Sequence, residues 1–100
     1  MKKIVLLCNA GMSTSILVTK MRKVAKETGY ECEINAYPMS EAETVGATAD
    51  VILLGPQVRF NLNNVKKACP QIPVEAINTM DYGMIKGDKV LEFAKSLMND

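Results

Sequence analysis

The chain has 100 residues, 48% of them hydrophobic, with 12 basic and 11 acidic side chains and a formal charge of +1. That length suits one domain, residues 1–100, built on a single core. The balanced charge gives no electrostatic footprint for nucleic acid or an anionic membrane surface, and the absence of histidine excludes a Ser-His or Cys-His pair, a histidine metal site and a histidine phosphocarrier.

In chain order, the first predicted element is a strand over about Lys3 to Leu7, a continuous apolar run suited to burial on both faces of a parallel sheet. The run Ile4 to Leu7 is shorter than the roughly 7–15 apolar residues of a signal peptide. No stretch is long enough to span a membrane, so a cytoplasmic protein with no direct membrane insertion is expected. A helix follows over about Ser13 to Thr28, capped by Ser13 or Thr14, with Leu17, Met21, Val24 and Ala25 on one face and Gly29 as its stop. Tyr30 to Ala36 alternates and fits a half-buried edge strand with Cys32 inward. Ser40-Glu41-Ala42-Glu43 matches a capping box opening a short helix that ends near Gly46.

Val51 to Leu54 is the second fully apolar strand, closed by Gly55-Pro56. A helix from about Arg59 or Phe60 to Ala68 turns Leu62, Val65 and Cys69 inward. Pro70 and Pro73 bracket a short last strand, about Val74 to Ile77, and Asn78 to Gly83 is expected to be a loop. A final helix runs over about Asp88 to Met98. Strands alternating with helices imply a three-layer α/β fold, a four-stranded parallel sheet in the order 2-1-3-4 with helices on both faces. Ligands in such sheets bind beyond the carboxyl ends of the strands where the order reverses, here between the first and third strands.

Cys8 falls at that point. The residues Asn9, Ala10, Gly11, Met12, Ser13, Thr14 and Ser15 include no proline, so each keeps its amide, and Gly11 tolerates positive φ. A run of amides at a helix N-terminus holds a phosphate and favours a thiolate, which makes Cys8 the candidate nucleophile and phosphoryl carrier. The plainer alternative is a small buried hydrophobe closing a core strand. Gly11, Ser13, Thr14 and Ser15 argue against it, because apolar packing does not require them. Cys8, Cys32 and Cys69 are odd in number and far apart, which fits a reducing compartment and neither a disulfide framework nor a CxxC site; no metal and no cofactor are expected.

With CNAGMSTS at Cys8 to Ser15, LLGPQ at Leu53 to Gln57 and DYGMIKG at Asp81 to Gly87, the chain resembles over its whole length the IIB component of the bacterial sugar phosphotransferase system, in its lactose and cellobiose (chitobiose) branch. The resemblance implies that Cys8 is a phosphocysteine, that residues 9–15 hold the phosphate, and that the protein is a phosphotransferase. It also implies two partners. A IIA protein donates the phosphoryl group from a phosphohistidine, and a membrane IIC protein presents the β-linked disaccharide that receives it.

The strand–loop–helix arrangement is similar to that of low-molecular-mass tyrosine phosphatases, so a small cysteine-dependent phosphatase or arsenate-reductase-like enzyme is the alternative. Those enzymes carry Cys-x5-Arg, whose guanidinium stabilises the transition-state charge, and the matching position here is Thr14. A non-catalytic module using the same anion pocket is a third reading. Gln57, Arg59 and Tyr82 are candidates for partner contact; the alternatives are that Arg59 caps or flanks its helix, and that Tyr82 and Met12 are local packing in place of an apolar rim. Asp81, on the same edge, is a possible general acid or a plain solvated carboxylate.

Overall fold

A computed structural model describes residues 1–8 and 11–100, with the backbone alone at 11–13. The central strand β1 (Lys2–Cys8) pairs in parallel with β2 (Cys32–Pro38) on one side and β3 (Val51–Leu54) on the other, and β3 pairs in parallel with β4 (Val74–Ala76). The order is β2-β1-β3-β4, as the alternation of elements requires. Lys3 and Asp50 lock the start of β3 to β1: Lys3 N donates to Asp50 Oδ2 and Asp50 N donates to Lys3 O, both at 2.8 Å.

The continuous apolar runs do what a doubly covered strand must. Ile4, Leu6, Val51 and Leu53 face one layer, and Val5, Leu7, Ile52 and Leu54 face the other. On the first face lie α1 (Gly11–Thr28) and α5 (Gly87–Leu97), which bury Leu17, Met21, Ala25, Val90, Leu91 and Ala94 at helical spacing. On the second face α2 (Ala42–Gly46) and α3 (Leu62–Ala68) bury Ala42, Val65 and, just beyond α3, Cys69. Helix α1 ends in a Schellman motif: Gly29 has φ +71°, Tyr30 N donates to Ala25 O and Gly29 N donates to Lys26 O. Strand β2 is the half-buried edge strand expected, with Ile34 buried and Cys32 packed against the first-face core.

Four local expectations need correction. Helix α1 begins at Gly11, so Thr14 lies inside its first turn and Ser13 and Thr14 are not the cap. The capping box at Ser40 does not form: a 3₁₀ turn begins one residue earlier, at Met39 after Pro38, and α2 has no side-chain cap hydrogen bond. The segment after β3 starts as a 3₁₀ turn at Pro56–Asn61, because Pro56 is already set for a first helical turn and Val58 departs from helical geometry. Residues 79–83 are a helix, α4 (Thr79–Gly83), because the Asn78 side chain caps it.

Candidate functional site

Of the four segments that leave the carboxyl edge of the parallel sheet, three carry the candidate residues: the path into α1, the turn after β3, and α4 after β4. Cys8 is a free thiol, 4% exposed, and sits at the last position of β1 opposite Pro38. It is buried at the end of a core strand, with Leu7 before it inside the second-face core. Its neighbour on the β3 side is Gly55, whose N–H donates to Leu7 O at 2.9 Å. A Cβ placed on Gly55 would lie 2.8 Å from Gln57 Oε1 and 3.7 Å from Cys8 Cβ. Glycine is therefore what lets the Gln57 carboxamide fold back over position 55.

The other half of the site is a buried hydroxyl pair. Thr14, fully buried in the first turn of α1, meets the hydroxyl of Tyr82 at 2.7 Å across 68 residues of chain. Tyr82 itself is 8% exposed and packs with the first-face core. Gln57 Nε2 donates to the same tyrosine oxygen over a longer 3.4 Å. The Tyr82 oxygen thus accepts from Gln57 while it shares a hydrogen bond with Thr14 Oγ1, in which either hydroxyl can donate.

Of the expected phosphate-holding residues, Asn9 and Ala10 lie outside the described residues, as do the side chains of Gly11, Met12 and Ser13. Thr14 is inside the site by way of Tyr82, and Ser15 is exposed on α1. Gln57 and Arg59 are exposed on the turn after β3, where a partner can reach them. For Tyr82 the packing alternative holds and the exposed rim does not, because its ring fills the core and its hydroxyl is bonded to Thr14. Asp81, one residue before it, turns away. It lines a cavity of about 420 Å³ with Ala76, Ile77, Asn78, Val90 and Phe93, and Cys8 is not among the walls.

Sequence reasoning missed the exposed apolar groups on this edge. Ile16, Phe60, Met80 and Met84 are 52%, 75%, 70% and 62% exposed, and all four follow the carboxyl ends of strands. Apolar residues at positions that helical periodicity turns outward were the available signal. Cys32 and Cys69 stand elsewhere. Burial pushes both thiols up from their ordinary range, as suits packed, protonated side chains.

Residues 3–93 match the family model described as "PTS system, Lactose/Cellobiose specific IIB subunit". The chain belongs to this family. Among its relatives is the galactose-specific EIIB component of Lactococcus lactis subsp. cremoris, 47% identical over 98% of this chain and 97% of the relative. The oligo-beta-mannoside-specific EIIB component of Bacillus subtilis is also 47% identical with the same coverage. The solution structure of a cellobiose-specific phosphotransferase IIB component protein from Borrelia burgdorferi superposes with a TM-score of 0.83 at 42% identity, covering 98% of this chain and 92% of that one. The fold of this IIB chain is thus the fold of its relatives. No helix among its described residues is long and apolar enough to cross a membrane.

Proposed function

We propose that this IIB protein works in the cytoplasm as a phosphoryl carrier, receiving phosphate on Cys8 from a phosphohistidine of a IIA protein and passing it to a β-linked disaccharide bound by a membrane IIC protein. The observation that carries the reading is the placement of the free thiol of Cys8 at the carboxyl end of the central strand, on the path into an 18-residue helix, in a chain with no histidine. In the first step the Cys8 thiolate attacks phosphorus, the S–P bond forms, and the P–N bond breaks with its electron pair going to a donor imidazole already protonated on its other ring nitrogen, which therefore leaves neutral. In the second a sugar hydroxyl oxygen attacks phosphorus, its proton leaves to a base, the S–P bond breaks, and the thiolate is regenerated.

The carrier must hold its phosphate until the acceptor arrives. Thr14, standing where a phosphatase would have arginine, is neutral and its hydroxyl is engaged by Tyr82, so nothing there neutralises the charge that builds up when water attacks. Both partners need the same sulfur, so they meet the same edge in turn. The exposed Ile16, Phe60, Met80 and Met84 give that edge an apolar, adaptable rim suited to brief encounters, with Gln57 and Arg59 beside it. The relatives are named for galactose, oligo-beta-mannoside and cellobiose at nearly equal identity, which fits selection of the sugar by the membrane partner.

The decisive experiment is labelling from radioactive phosphoenolpyruvate through the donor chain. Cys8→Ser is expected to abolish label, while Cys32→Ser and Cys69→Ser retain it. Label that survives loss of Cys8 defeats the reading, and sustained hydrolysis of an aryl phosphate by the isolated protein favours a phosphatase instead.

A further inference from the structure

The tyrosine at position 82 carries more than its packing requires. A phenylalanine fills nearly the same volume in the core formed by Leu17, Val18 and Ile77, so the hydroxyl is an added polar group that has to be satisfied. It is satisfied by Thr14, a polar side chain with no exposure at all. Each hydroxyl finds in the other a partner at 2.7 Å, and removing either one takes a buried hydrogen bond from its mate. The pair joins the first turn of α1 to α4, elements that have no sequence proximity and no strand pairing to hold them together.

Helix α4 is built to hold that tyrosine still. Five residues are too few for a stable helix on their own, so the element depends on its ends. At the front, Asn78 Oδ1 accepts from Met80 N at 2.9 Å and Asp81 N at 3.1 Å. At the back, Lys86 N donates to Asp81 O and Ile85 N donates to Tyr82 O, a Schellman closure that puts Ile85 at φ +54°. A β-branched residue in the left-handed region is costly and persists only where its surroundings impose it. Ile85 packs against the same core as Tyr82, which supplies the imposition.

We propose that Tyr82 is a positioning residue for phosphoryl transfer: its hydroxyl, polarised by Gln57 and bonded to Thr14, clamps the first turn of α1 and so fixes the aim of the amides that receive the phosphoryl group on Cys8. The proposal rests on the phosphoryl-carrier reading. Gln57 Nε2 adds a third partner by donating to the tyrosine oxygen at 3.4 Å, so the turn after β3 is tied to the same hydroxyl. Misdirected amides lose transition-state stabilisation while leaving the docking surface intact, so the clamp acts on the rate of transfer and not on the encounter.

The test is rapid-quench transfer from phosphohistidine IIA, charged from radioactive phosphoenolpyruvate, to the full chain. Tyr82→Phe is expected to lower kcat about tenfold, the worth of one buried hydrogen bond, with KM for the donor within about twofold. Thr14→Val should match it, the double variant Tyr82→Phe/Thr14→Val should be no slower than either single, and Thr14→Ser should recover most of what Thr14→Val loses. Amide exchange at residues 11–15 should quicken in Tyr82→Phe while β1 and β3 keep their protection. Tyr82→Phe transferring at the wild-type rate, losses that multiply in the double variant, or unchanged exchange at 11–15 each overturn the proposal while the wild type still labels at Cys8. A wild type that takes no label at Cys8 sinks this proposal and the carrier reading together.

Discussion

On one face of the sheet, helices of 18 and 11 residues lie over Ile4, Leu6, Val51 and Leu53, whereas helices of five and seven residues cover Val5, Leu7, Ile52 and Leu54 on the other. The long-helix face is also the closer packed in backbone terms. A Cβ on Gly87 would stand 2.7 Å from Lys20 Cβ and 2.9 Å from both Lys20 C and Met21 N, so α5 crosses α1 with no space for a methyl group. The tightest glycine of the short-helix face, Gly46, meets a side chain instead, Cys69 Sγ, at 2.3 Å from its notional Cβ. One face is fixed by main chain and the other by a replaceable atom. Thr14 and Tyr82 belong to the fixed face and Gln57 to the turn leading into the other, so the site lies on the seam between them.

The largest effect should come from Gly87→Ala, where overpacking against main chain costs about 3 kcal/mol, read as a fall in the urea midpoint. Gly46→Ala should cost about 2 kcal/mol alone, and Gly46→Ala/Cys69→Ala should recover about half of that, because the sulfur is the obstacle. A double variant no better than Gly46→Ala would show that both faces are equally unyielding. Next in size, Asn78→Ala should cost about 1 kcal/mol through loss of the α4 cap, with faster amide exchange confined to residues 79–83.

Alkaline pH should weaken both faces by a smaller amount. Burial raises the thiols of Cys69 and Cys32, and burial together with the hydrogen bond to Asp100 raises the Tyr30 hydroxyl. Each group has its folded pKa above the unfolded one, so its contribution is complete below the unfolded value and is lost as pH rises through the folded value. The urea midpoint should therefore fall above about pH 9, the ordinary thiol value, and Cys69→Ala should flatten that fall for the short-helix face alone. The smallest change is expected from Glu33→Gln. Its 3.9 Å pair with Lys3 is about half exposed on both sides, so less than about 0.5 kcal/mol should be lost.

The same contrast governs how much of the molecule was legible in the sequence. Leu17, Met21 and Ala25, like Val90, Leu91 and Ala94, repeat often enough to declare long helices, and the runs at Ile4 and Val51 declare central strands. From these the strand order and the position of Cys8 followed. The short elements were read less well, since five to seven residues hold too few periods to outweigh one misplaced start. A turn beginning at Met39 displaced the cap expected at Ser40, and Asn78 made a helix out of an expected loop. The Thr14–Tyr82 bond was invisible for a different reason: nothing local in either segment announces a hydroxyl partner 68 residues away.

The outer margins of the sheet bear on how this chain behaves when crowded. Strand β2 finishes at a proline, carries the exposed charge of Glu33, and has its Ile34 carbonyl occupied by Arg22 Nε at 2.9 Å, while β4 stops after three residues preceded by Pro73. These are features by which an edge strand resists pairing with a stray one: a charge, a proline and an occupied carbonyl on β2, and short length on β4. Lateral stacking into fibrils is thereby discouraged, and a protein exposing methionines and a phenylalanine at one end can stay dispersed at high concentration.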